Sequence, residues 1–453
     1  MPRLMPRLKA TPDRMKHSRS TRGHGRLSVP PSSSIDLRVG GEEFVSETEL
    51  DNGVRVLSER IPSVRSASVG VWVRQGGAHE GLDEHGASHL LEHMVFKGTR
   101  KRSAADIAMA LESLGGSLDA YTSREHTAYQ ARVLDENLGE ALDVLADMVL
   151  APTIEPDDLA LEREVVLEEI AQVEDTPDDL VYEMHSSLMW DGHAYGKPIL
   201  GSKESVAEMS SDTLRALHQR RYRGENLIVA AAGNIDHDAL VDSVGDLFAQ
   251  AGGGESAEAV STPLSTRSGR EVAHRDSAQT HVVFGTDVPG RGHEDRYPLS
   301  LASSALGGGM SSRLFQKVRE EMGLCYSVYS YQSFYSASGV SGVYVGTRPA
   351  TADAAVSAIE GELTRLAEDG LADEELATAK QQMKGQVMLA LESTGSRLYR
   401  LASFALHGES FLTLDDLLER IDAVTAEDVK RVCRRYFDPS RQMVLRLGPT
   451  QAS

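Results

Sequence analysis

Two rhythms of apolar and polar positions divide this chain. Ser66-Ala-Ser-Val-Gly-Val-Trp-Val-Arg74 alternates with period two, as a half-buried strand does. Ahead of it, Thr48 to Leu57 reads as a hairpin of two short runs folded around Asp51-Asn52-Gly53. Helical periodicity follows at about 86–96, 103–114, 135–150, 156–174 and 178–190. Leu227 to Gly233 is a short unbroken apolar run of the kind a buried strand gives. The pattern predicts an α+β domain with helices packed on one sheet.

Ala251 to Gly269 (AGGGESAEAVSTPLSTRSG) has no periodicity and reads as a linker. Beyond it the order of elements repeats. Strands are expected near 271–275 and 280–287, a helix near 296–306, strands near 326–346, long helices from about 350, and a last strand at Gln442–Leu447. Arg220-Arg-Tyr before Leu227 is echoed by Arg434-Arg-Tyr before that last strand. Two homologous halves of about 200 residues each are therefore expected. The boundaries are residues 1–40 for a disordered basic tail, 41–250 for the first domain, 251–269 for the linker and 270–453 for the second domain.

Composition narrows the classes. The 453 residues are 40% hydrophobic and 25% charged, ordinary for a globular protein. No apolar run approaches bilayer length, so no membrane partner is expected. A net charge of −21 argues against nucleic acid as a partner. Cys325 and Cys433 are too few for a disulfide framework and fit a reducing compartment. Residues 1–34 hold eight Lys/Arg against the single acidic Asp13, and are rich in Ser, as organelle transit peptides are. That segment shows neither an amphipathic helix nor a secretory core. A bacterial cytoplasmic location is expected, with an organelle matrix as the alternative.

The candidate chemistry lies in His89-Leu-Leu-Glu-His93. On a helix, residues four apart share a face, so both imidazoles can reach one zinc ion, and Glu92 lies near the same face, where a base for a metal-bound water belongs. The order H-x-x-E-H is the inverted zincin pattern. A third ligand is sought in Leu159-Ala-Leu-Glu-Arg-Glu-Val-Val-Leu-Glu-Glu-Ile170. At about 100° per residue, Leu159, Val166 and Ile170 form an apolar face, Glu169 and Glu162 sit at its edge, and Glu168 and Glu164 point to solvent. Glu169 is thus the expected ligand and Glu162 the partner of a ligating histidine. Taken by itself, this helix also reads as an acidic solvated face; its pairing with HLLEH favours the metal site.

The segment His85-Gly-Ala-Ser-His-Leu-Leu-Glu-His-Met-Val-Phe-Lys-Gly-Thr99 resembles the active-site signature of the pitrilysin family, in its mitochondrial processing peptidase branch and that branch's bacterial relatives. The resemblance extends over nearly the whole chain after residue 40. It places a metal-binding Glu 76 residues after the second His, at Glu169, with Glu162 in an auxiliary acidic position. It also implies that Asp119, Ala120, Tyr121 and Thr122 lie on an edge strand to which an extended peptide adds, with Asp119 where the family usually has Asn. Gly307, Gly308 and Gly309 resemble the family's substrate-gathering glycine loop. Arg319 and Tyr326 resemble its R-x6-Y pair, Arg319 anchoring peptide and Tyr326 stabilising the oxyanion.

The second half has no H-x-x-E-H. Aligning Leu159-Ala160 with Leu376-Ala377 puts Gln386 opposite Glu169, so one zinc per chain is expected. The resemblance implies a zinc endopeptidase acting on extended, presequence-like and possibly basic peptides, the chain supplying half of a clamshell. A homodimer, or a heterodimer with a metal-free homologue, is expected. The rival reading is a catalytically silent structural or regulatory subunit, against which the retained His89, Glu92, His93 and Glu169 count.

Overall fold

The computed structural model describes residues 33–39, 43–253 and 255–449. The basic segment ahead of residue 33 lies outside them. Twelve strands form two sheets among the described residues. The first sheet holds β1 (Ser33–Val39), β2 (Glu43–Glu49), β3 (Arg55–Arg60), β4 (Ser66–Val73), β5 (Ser117–Thr122), β6 (Thr127–Leu134) and β7 (Leu227–Gly233). Its order is β1-β2-β3-β7-β4-β6-β5. The second holds β8 (Gly269–His274), β9 (Thr280–Pro289), β10 (Cys325–Phe334), β11 (Ser338–Thr347) and β12 (Met443–Gly448), in the order β10-β11-β9-β12-β8.

Fourteen α-helices cover these sheets among the described residues. In the first half they are α1 (Ala87–Val95), α2 (Ala104–Glu112), α3 (Leu138–Leu150), α4 (Pro156–Asp175), α5 (Pro177–Met189), α6 (Lys203–Glu208), α7 (Ser211–Arg221) and α8 (His237–Leu247). In the second they are α9 (Arg296–Gly307), α10 (Ala352–Asp369), α11 (Asp373–Ala390), α12 (Thr394–Leu406), α13 (Leu414–Ala423) and α14 (Ala426–Tyr436). A π-helical turn at Phe315–Glu321 precedes β10.

The two sheets repeat one pattern. In the first, β3 runs parallel to β7, then β4, β6 and β5 follow antiparallel. In the second, β8 runs parallel to β12, then β9, β11 and β10 follow antiparallel. The chain is thus an α+β protein of two like halves, each sheet mainly antiparallel with one parallel pair. β5 and β10 occupy matching edges.

One feature departs from the sequence reading. Ser33–Val39, placed there in a disordered tail, forms an edge strand, because seven residues pair antiparallel with β2 and satisfy the backbone groups that face it. Among its described residues the Ala251–Gly269 stretch has no helix or strand before β8, and it is tied down at several points. Asn226 holds Glu255 O and the Ala257 amide, and Arg267 N bonds Met189 O.

Packing crosses between the halves. α5 leaves its own half and lays Val181 against Val283, Tyr344, Leu445 and Leu447 of the second sheet. In return α12 places Leu398, Leu401, Ala402 and Ala405 against Leu57, Trp72, Ile228 and Ala230 of the first. The other face of the first sheet carries the main core, where Val69, Val71 and Val73 meet Leu90, Leu91 and Met94 of α1 and Leu159, Val166 and Ile170 of α4. That core fixes α1 and α4 side by side.

Candidate metal centre

α1 begins at Gly86, whose backbone is left-handed (φ 88°) and which offers no side-chain cap. The buried Glu80 carboxylate caps the helix instead, accepting from Gly86 N and Ser88 N at 2.8 Å each. A negative group there complements the helix dipole. Burial nevertheless pushes this carboxyl up to about 7. Leu90, Leu91, Met94 and Val95 anchor the helix, leaving His89 and His93 one turn apart on its rim, with ring centroids 4.7 Å apart.

α4 supplies the facing carboxylates. Leu159, Val166 and Ile170 are buried, Glu164 and Glu168 are exposed, and Glu169 sits between these extremes. One Glu169 oxygen lies 3.7 Å from His89 Nε2 and 3.7 Å from His93 Nε2. Ligand atoms of the three residues fall within 4.8 Å of one another, the one such group of His, Cys, Asp and Glu among the described residues. A separation of 3.7 Å is too long for a hydrogen bond. It approaches the roughly 3.3 Å between two ligand atoms on a tetrahedral ion with bonds near 2 Å.

The protonation states fit the same picture. Glu162 is buried, and its Oε2 lies 3.0 Å from His93 Nδ1, while its other oxygen pairs with Lys97 Nζ. A carboxylate only accepts, so Nδ1 carries the proton and the Nε2 lone pair is free toward Glu169. Burial, reinforced by His93, pushes His89 down to about 4, keeping it the neutral imidazole that a metal requires. Two imidazoles and a carboxylate, converging from two helices locked in one core, fit a zinc ion.

Glu92, next to His93 on α1, is half-buried, and its Oε2 accepts a 2.6 Å bond from Thr122 Oγ1. Burial raises its carboxyl above the ordinary value, while the Thr122 bond pulls the other way. Thr122 ends β5, which is the edge of its sheet. Period two divides that strand. Leu118 and Ala120 pack toward the core beneath α1, whereas Tyr121 joins the α12 cluster on the opposite face and Asp119 is exposed there.

The second-half candidates lie elsewhere. Gly307 ends α9 against β10, where a Cβ would collide with Ser330 N, and Gly308 and Gly309 continue from it. The Arg319 guanidinium stacks 4.8 Å from the Tyr326 ring and 4.6 Å from Phe315. Tyr326 itself is 75% exposed at the start of β10. These two residues therefore contact each other, and their described interactions do not reach the His89–His93–Glu169 group. Sequence reasoning missed Lys97 and Glu80. Lys97 stands four residues after His93, a spacing that could have flagged it; Glu80 carries no such local signal.

Comparison with known proteins agrees with this geometry. Residues 55–203 match the insulinase (peptidase family M16) model and residues 208–383 match the peptidase M16 inactive domain. An uncharacterised zinc protease of Streptomyces coelicolor is 40% identical, over 90% of this chain and 91% of its own length. The chain belongs to peptidase family M16. Another uncharacterised zinc protease, from Mycobacterium tuberculosis, is 42% identical over 89% of this chain and 92% of its own. One from Bacillus subtilis is 39% identical over 89% and 98%. Among solved structures, a Pseudomonas fluorescens peptidase M16 inactive domain superposes with a TM-score of 0.85 at 21% identity, covering 90% of this chain and 98% of that one. A Helicobacter pylori protease gives 0.84 at 23%, covering 89% and 99%. These two likenesses establish the shared two-domain fold. No helix among the described residues is long and apolar enough to cross a membrane.

Proposed function

We propose that this chain is a zinc-dependent endopeptidase that hydrolyses extended peptides, with His89, His93 and Glu169 as ligands and Glu92 as general base. The observation that carries the reading is the convergence of those three donor groups on the helix that also carries the half-buried Glu92. Zinc held there would supply a Lewis acid for water and for the scissile carbonyl. Glu92, raised by burial, takes the proton of the attacking water and returns it to the leaving amine. Glu162 holds His93 in the tautomer that presents Nε2. The peptide adds to the open edge of β5 through backbone hydrogen bonds, which favours extended segments over particular side chains.

Arg319 and Tyr326 are assigned the anchoring and oxyanion roles as one stacked unit. The acidic body suits basic, presequence-like peptides. The working form is a dimer, of two copies or with a metal-free homologue, in the bacterial cytoplasm. A silent subunit is the weaker reading, since the ligand trio and the base are all present.

The test uses a basic peptide library with wild type and Glu92→Gln. Both are expected to hold zinc, and the variant to lose at least a hundredfold of turnover, in line with loss of a general base. Equal turnover by the two would overturn the role of Glu92.

A further inference from the structure

Thr122 is the last residue of the strand offered to the peptide, yet its side chain points away from that task. It shares the α1-facing side of β5 with Leu118 and Ala120, and its hydroxyl lies 2.6 Å from Glu92 Oε2. The hydroxyl hydrogens in this corner can be accounted for. Thr127, paired with Thr122 across the β5–β6 ladder, gives its hydrogen to Gln75 O at 2.8 Å. The 3.4 Å contact between the two threonine oxygens therefore leaves the single Thr122 hydrogen for Glu92.

We propose that Thr122 is a positioning residue for the general base: it fixes one Glu92 oxygen so that the other is presented to water. This rests on the reading of Glu92 as the base. Glu92 hangs from α1 on three rotatable bonds, and a carboxylate free to turn seldom meets its water in line. Threonine suits the task because its β-branch restricts χ1 and its backbone is held by the ladder to β6, and through β6 to β4. The strand on which the peptide lies is thereby the strand that aims the base. Base alignment and substrate registry depend on one backbone segment.

Thr122→Val removes the donor at nearly constant shape, and Thr122→Ser keeps it. Thr122→Val should lower kcat about tenfold to a hundredfold, the effect of losing a hydrogen bond to a charged group, with KM unchanged. Thr122→Ser should recover most of the rate. Affinity of the metal-free protein for a fluorescein-labelled basic peptide, read by anisotropy, should be equal in all three. Crystals of the metal-free proteins give a readout independent of turnover. Glu92 should hold one rotamer in wild type and Thr122→Ser, and spread over several in Thr122→Val.

An unchanged kcat or an unmoved Glu92 in Thr122→Val overturns the proposal. A loss confined to KM and to anisotropy would make Thr122 a peptide contact instead. Failure of the serine variant to restore the rate would reduce it to packing. Absence of peptidase activity in wild type would instead count against the peptidase reading, leaving the rotamer result to judge the positioning role.

Discussion

At the scale of residues, His93 shows how much of the centre rests on a neighbour. Its Nε2 is useful only while Glu162 holds the Nδ1 proton, and the buried Glu162 is itself held by Lys97 through its other oxygen. Glu162→Ala should therefore weaken zinc binding tenfold to a hundredfold, measured by competition with a chromogenic chelator. Unchanged affinity would show that His93 is oriented by something else. Once HLLEH pointed to a metal, helix phase picked out Glu169 and Glu162 among their neighbours, since an apolar stripe fixes what lies beside it. The Thr122–Glu92 bond was not, because it joins a strand to a helix 30 residues away and periodicity carries no information on such pairs. Asp119 shows the opposite limit. Its place on the edge strand was readable, but not that its side chain lies on the face away from α1.

Elements were legible where their rhythm was long. α1, α2, α4 and α5 fall within a residue or two of the expected spans and α3 starts later than expected, at Leu138, while the short α6 and the polar-faced α8 went unnoticed. What no local pattern could disclose is the exchange of α5 and α12. Both read as ordinary amphipathic helices, and nothing in such a stripe says whose sheet it will cover. The exchange includes a buried charge pair, Arg397 of α12 with Glu59 of β3, the latter fully buried. Arg397→Ala leaves that carboxylate without its guanidinium and should cost roughly 3–5 kcal/mol in urea denaturation. Because α12 ties the halves together, the loss should appear in one shared transition. A shift confined to the second half would mean that the halves unfold independently.

For the whole molecule, one fold has been used twice and its chemistry once. The matched sheets place α4 and α11 in corresponding positions, and the buried Leu159 and Leu376 fix their register. In that register Ala379 stands at the place of Glu162 and Gln386 at the place of Glu169. The second half keeps this packing without counterparts of Glu162 and Glu169, so the proposed site implies one zinc per chain. On the proposed reading Glu169, set apart by helix phase and by its 3.7 Å approach to both histidines, completes the site. Metal content of the purified wild type, Glu168→Gln and Glu169→Gln tests it most directly. One zinc per chain is expected in wild type and Glu168→Gln, and little or none in Glu169→Gln. Full zinc in Glu169→Gln, or its loss in Glu168→Gln, would contradict it.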